Sequence, residues 1–105
     1  MAWLILFVAG LFEVGWAVGL KYTEGFTKLW PSLLTAASMV ASIFLLALAL
    51  RTIPLGTGYA VWTGIGALGT VTFGILYLGE STDLLRMASI GLILIGLVGL
   101  KLASP

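Results

Sequence analysis

A chain of 105 residues in which 61% are hydrophobic and only 9% are charged, with a mean hydropathy of +1.21, lies far from the roughly 25% charged residues of a soluble globular domain. It reads as a one-domain integral membrane protein. A net charge of +1 gives no basic field for nucleic acid, and the absence of Cys and His removes disulfides, thiol chemistry and the common zinc sites.

The first predicted span covers residues 2–20, AWLILFVAGLFEVGWAVGL, long enough to cross a bilayer, which takes about 20 mostly apolar residues. It carries one charge, Glu13, near its middle. An acidic residue at bilayer depth costs about 2.5–3.5 kcal/mol on insertion scales, so it marks function by default. At 3.6 residues per turn, Glu13 shares a helix face with Ala9, Gly10, Trp16, Ala17 and Leu20. The small residues leave room for another helix or a ligand, and Trp16 lies one turn from the carboxylate. The bland alternative is a carboxylate that only ties helices together by hydrogen bonds. No basic n-region precedes this span and Glu13 interrupts the apolar run, so a retained helix is expected rather than a cleaved signal peptide.

The polar stretch KYTEGFTKLWP forms the first loop, with Gly25 at a turn and Tyr22, Phe26 and Trp30 as interfacial anchors. The second span, residues 31–50, opens with Pro31 in the first helical turn. Along it Thr35, Ser38 and Ser42, continuing through Leu45 and Ala49, step by three or four residues on one face. A polar stripe in a membrane helix faces protein or a cavity, and helix-to-helix hydrogen bonding is its simplest use.

The short connection Arg51-Thr52-Ile53-Pro54 makes the second and third spans antiparallel neighbours in this reading. The third span, residues 55–78, is dense in glycine, and Ala60, Gly64, Ala67 and Gly74 fall on one stripe suited to close helix approach. Gly64 and Gly66, flanking Ile65, weaken the helix where a bend is expected. Tyr59 and Trp62 lie on a neighbouring face, each an aromatic body with one polar handle; an interfacial aromatic belt is the alternative reading of Tyr59. The turn Gly79-Glu80-Ser81-Thr82-Asp83 offers Ser81 or Thr82 as N-cap of the last span, residues 84–102. In that span Ser89, Gly96 and Ala103 recur every seven residues with Gly99 beside them, a small-residue seam for helix association. Lys101 is expected to snorkel to the interface.

The fold class that follows is all-α: one transmembrane domain of four helices over residues 1–105. Four spans put Arg51 and Lys101 on one side and Lys21, Lys28 and Arg86 on the other. With orientation following the Lys/Arg asymmetry of loops, so small a bias lets the chain insert both ways. Four short helices also enclose too little volume to surround a polar path. An antiparallel homodimer answers both observations and sets two Glu13 carboxylates near the midplane.

The segments GLFEVGWAVGLKYTEGFTKLWPS, IPLGTGYAVWTGIGALG and GLILIGLVGL resemble the first helix and loop, the third helix and the dimer-forming fourth helix of the small multidrug resistance transporters. The resemblance covers essentially the whole chain. It implies a multi-pass protein of the inner cell membrane, in contact with lipid, that exports small cations in exchange for protons as an antiparallel homodimer of dual topology. It also implies that Glu13 is the shared proton and cation site, with Ser42, Tyr59 and Trp62 as binding partners. Trp16, Gly10 and Lys101 together look like the guanidinium-exporting branch. Guanidinium donates N–H bonds in a fork that matches a carboxylate, aromatic faces take cations, and Ser42, Trp16 and Trp62 are candidates to orient Glu13. A broader exporter of quaternary ammonium cations is the alternative within transport, and a structural membrane subunit is the alternative outside it. An enzyme is the least favoured class, since no nucleophile–base pair, metal site or cofactor motif is present.

Overall fold

The computed structural model describes residues 1–103. Helix α1 spans Ala2–Tyr22, α2 spans Leu29–Ala49, α3 spans Leu55–Tyr77 and α4 spans Leu84–Ala103. Each has 20 to 23 residues, which at 1.5 Å per residue gives about 30 Å, the thickness of a bilayer's hydrocarbon core. All four are long and apolar enough to cross a membrane. The first loop begins later than expected. Lys21 and Tyr22 stay helical, and Thr23 ends α1 by donating its hydroxyl to the Leu20 carbonyl (2.8 Å) and accepting from the Phe26 amide (3.2 Å). Gly25 sits at φ +74° in the turn, where a side chain would be strained.

α1 is the central helix. It packs along α2 and along α3, the backbone of α4 approaches only that of α3, and the backbones of α2 and α3 scarcely meet. That corrects the expectation drawn from the short 51–54 connection. The two helices are antiparallel, but α1 lies between them for most of their length because its small residues permit close approach. A Cβ on Gly19 would overlap the Thr35 hydroxyl, and one on Gly69 would overlap Val14. The Gly10 Cα lies against Ile65, so closely that a Cβ there would stand 2.5 Å from its methyl. These pairings run Gly10 with Ile65, Glu13 with Gly66 and Val14 with Gly69, so α1 and α3 are parallel and in register.

The core consists of Leu6, Ala9, Leu46, Ala49, Ile53, Val61 and Trp62. The subunit measures 43 × 35 × 17 Å, a slab rather than a closed bundle. No residue of α4 is buried. Its first turn is capped by neither Ser81 nor Thr82 but by Asp83, whose carboxylate accepts the Arg86 amide at 2.8 Å. Ser81 instead bridges Asp83, donating to its carboxylate (3.0 Å) and accepting from its amide (3.1 Å). These bonds, that from the Arg86 amide first, hold the Asp83 carboxyl below its ordinary value.

Candidate functional site

Glu13 is the only acidic residue within the four helices. Its side chain leaves α1 toward α3 and lies directly on Gly66, where a Cβ would coincide with the carboxylate. This contact gives Gly66 a packing reason that its sequence context did not reveal. α3 runs through Gly64 and Gly66 without interruption, and both are points of close approach, Gly66 to Glu13 and Gly64 to Leu97 of α4. One carboxylate oxygen, Oε1, is buried and receives no protein hydrogen bond.

One turn before Glu13, the Ala9 carbonyl accepts the Ser42 hydroxyl at 2.7 Å. The Trp62 indole N–H donates to Ser42 Oγ at 2.9 Å. Ser42 is fully buried and Trp62 nearly so. This chain ties α1, α2 and α3 together beside Glu13. It also differs from the arrangement anticipated for the carboxylate. A hydroxyl has one proton, and that of Ser42 is committed to Ala9, so neither Ser42 nor Trp62 donates to Glu13 in this state. The Trp16 indole N–H is buried without a protein partner. Tyr59 extends the aromatic surface, its ring centre 5.6 Å from that of Trp62 and tilted by 48°. With 55% of its surface exposed, Tyr59 forms the open edge of the group.

Lys101 lies elsewhere. Its ammonium stands 4.5 Å from the centre of the Trp3 ring, a cation–π distance. The two mark one end of an apolar cleft of about 710 Å³ between α1, α3 and α4. Trp3 precedes Glu13 by ten residues, about 15 Å along the helix. Gly10 packs on Ile65 one turn from Glu13. Gly96 and Gly99 face open space: a Cβ on either would meet nothing within 4 Å. Gly96 lines a groove with Tyr59, Ala60, Thr63, Ala67 and Ile93 between α3 and α4. One participant escaped the sequence reading, the Ala9 carbonyl, because a backbone acceptor leaves no mark in side-chain chemistry.

Comparison with known proteins agrees with the four-span architecture. Residues 1–93 match the family described as Small Multidrug Resistance protein. The chain is similar to the "Guanidinium exporter" of Yersinia pseudotuberculosis, 62% identical over 104 residues that cover 99% of this chain and all of the relative. The proteins of the same name from Citrobacter freundii, 58% identical, and Proteus vulgaris, 56% identical, align over the same 99% of the chain and at least 99% of their own lengths. With four spanning helices and likeness along its whole length, the chain is a multi-pass membrane protein that belongs to the small multidrug resistance family.

Proposed function

We propose that this protein is a proton-coupled antiporter of the inner membrane that exports guanidinium and related small guanidinyl cations, a transporter rather than an enzyme. The observation that carries the reading is the seat of Glu13. The sole acid of the four helices rests on Gly66 with a buried oxygen that no protein group satisfies. A buried acceptor without a partner loses about 1–3 kcal/mol, and more if charged, so the carboxylate is poised for a ligand that donates hydrogen bonds. Guanidinium supplies two parallel N–H donors and a charge. A proton supplies neutrality.

Each ligand removes what the other needs. Guanidinium requires the ionised carboxylate, and protonation abolishes it, so the two exchange on Glu13 if the site opens to one side at a time. Trp62 and Tyr59 offer aromatic faces to a planar cation, and Trp16 narrows the site against larger ones. The Ser42 hydroxyl, now directed at Ala9, can turn to the carboxylate once a cation displaces the local hydrogen bonds. Gly64 and Gly66 let α3 bend as access alternates.

A slab 17 Å thick does not enclose a polar path, and α4 has no buried residue. A second copy, inserted the opposite way, covers that helix along Gly96 and Gly99. The near-balanced loop charges support such dual topology. The full-length likeness to proteins named guanidinium exporters supports the substrate.

Purified protein in liposomes tests the reading. An imposed guanidinium gradient should drive proton flux in the opposite direction, whereas a tetraalkylammonium gradient of equal size should drive much less. Comparable flux with both cations would favour the broader quaternary ammonium exporter, and no flux with either would favour a structural subunit.

A further inference from the structure

The charges of the loops are shared unevenly between the two ends of the subunit. At the end of the 23–28 and 78–83 turns, acids and bases are matched, Glu24 with Lys28 and Glu80 with Arg86. The opposite end carries Arg51 and Lys101 and, among the described residues, no acidic side chain. Lys101 is not simply extended into water. A lysine that only snorkels carries its ammonium away from the apolar surface, whereas this one is drawn back over the Trp3 ring at 4.5 Å. The contact holds a positive charge at the mouth of the cleft between α1, α3 and α4.

The cleft behind that charge, about 710 Å³, is apolar along its depth. Phe7, Leu11, Ile65 and Leu68 line it, and Thr72, at its inner end, returns its hydroxyl to the Leu68 carbonyl at 2.8 Å. Glu13 is not in its wall, so the interior has nothing to recognise a small polar cation. The register of α3 on α1 sets Thr72 about 20 Å along the axis from Trp3. That is long enough for the acyl chain of one leaflet, about 15 Å. On α4, Leu94, Val98 and Lys101 line the cleft while Gly96 and Gly99 lie on the opposite face. A second copy seated along those glycines therefore leaves the cleft open to lipid.

We propose that the cleft is a site for one anionic phospholipid: an acyl chain lies between α1, α3 and α4, and the phosphate sits on the Lys101 ammonium that Trp3 holds at the mouth. Basic groups between membrane helices bind anionic headgroups in this way. A chain inside the cleft gains dispersion contacts with three helices, where bulk lipid lies against the outer surface of the protein. A zwitterionic lipid can lay down the same chain but brings no net charge to answer Lys101. Lys101 and Trp3 thereby acquire a role separate from the cation site at Glu13.

The test titrates the full-length protein in a nonionic detergent with phosphatidylglycerol or phosphatidylcholine of identical acyl chains and reads bound lipid by native mass spectrometry. Phosphatidylglycerol should bind about fivefold more tightly, the contribution of one Lys near an anionic headgroup. Lys101→Gln should remove that preference and Lys101→Arg should keep it. Equal affinity for the two lipids in the native protein overturns the site, and so does a preference that survives Lys101→Gln or is lost in Lys101→Arg. Val98→Trp, which fills the cleft, should weaken both lipids together by about tenfold; unchanged affinity for both would show that the chain lies elsewhere. Should Val98→Trp fail to fold, glycerol 3-phosphate decides. It should not displace the lipid at equal concentration, and displacement would make this a free phosphate site without a seat for the chain. The same spectra report the oligomer: subunits that separate as lipid binds would mean that a second copy covers the cleft, and would overturn the lipid site. Binding is read directly, so none of these results depends on proton and guanidinium exchange.

Discussion

α1 and α4 have the same mean hydropathy, 1.9 over their most apolar windows, and opposite fates within the subunit. α1 buries Leu6, Ala9 and Gly10 and packs between α2 and α3. α4 buries nothing. Lipid tails are as apolar as leucine, so hydropathy decides whether a helix crosses the membrane and says nothing about what it packs on. The packing is decided by small residues. Those of α1 meet neighbours within the same subunit, Gly10 on Ile65 and Gly19 on Thr35, while Gly91, Gly96 and Gly99 of α4 meet nothing. On the function proposed above, one helix is organised for chemistry inside the subunit and the other for a second copy outside it.

The contrast is broken most severely at Glu13. Glu13→Gln retains the shape and loses the charge, so guanidinium affinity should fall by at least about 100-fold, the equivalent of two charge-assisted hydrogen bonds, with dimer formation intact. A binding isotherm and a crosslinking gel on the same preparation separate the two readouts.

Gly66→Ala should come next. Its new Cβ has no space beside the Glu13 carboxylate, and overpacking of about 1–3 kcal/mol, if it falls on the cation-bound form, corresponds to about 5- to 150-fold in cation affinity. Gly56→Ala, whose Cβ would meet nothing within 4 Å, is the control. It should leave affinity unchanged and raise thermal stability slightly, because alanine favours a helix over glycine by about 1 kcal/mol. Equal behaviour of the two variants would show that the Gly66 contact does not seat the carboxylate.

On the other helix, Gly96→Ile should weaken dimers by about 10-fold through the same overpacking argument, and should do so without unfolding the subunit, since the position is open within it. Leu94→Ile should leave the dimer unchanged. Sedimentation in detergent reads both, and an unaltered oligomer in Gly96→Ile would place the seam elsewhere.

The smallest effect lies at the start of α4. The bond from the Arg86 amide keeps the Asp83 carboxyl below its ordinary value. The stabilisation is therefore present above the unfolded-state value and is lost as pH falls through the lower folded-state value. Hydrogen exchange at the Arg86 amide should accelerate over that acidic window in the native protein. In Asp83→Ala it should be fast throughout, with transport unchanged.

Much of this architecture was legible in the residues because it rests on composition and period. Four apolar runs separated by short polar turns define the spans, and a single Glu in the middle of one of them stands out. What escaped was relational. Helix spacing put Trp16 one turn from Glu13 and the family resemblance implied Ser42 and Trp62 as its partners, but neither could show that the Ser42 proton goes to the Ala9 carbonyl, because a backbone acceptor looks alike at every position. It marked Gly66 as a weak point of α3 without showing that Glu13 lies on it. It made α2 and α3 neighbours from their short connection, whereas the glycines of α1 draw that helix between them. Cap choice failed for a local reason: Asp83, directly before α4, outcompetes Ser81 and Thr82 because its carboxylate reaches the third amide of the helix.

The central claim is that protons and guanidinium compete for one carboxylate, and the pH dependence of guanidinium affinity tests it most directly. Cation binding requires the ionised form. Affinity measured by calorimetry should therefore be constant at alkaline pH and fall about tenfold per pH unit once protonation of Glu13 sets in, since one proton is then displaced per cation. In Glu13→Asp the same curve should appear with its break at a different pH. An affinity that stays flat from acidic to alkaline pH in the native protein would contradict the account and remove Glu13 from the exchange.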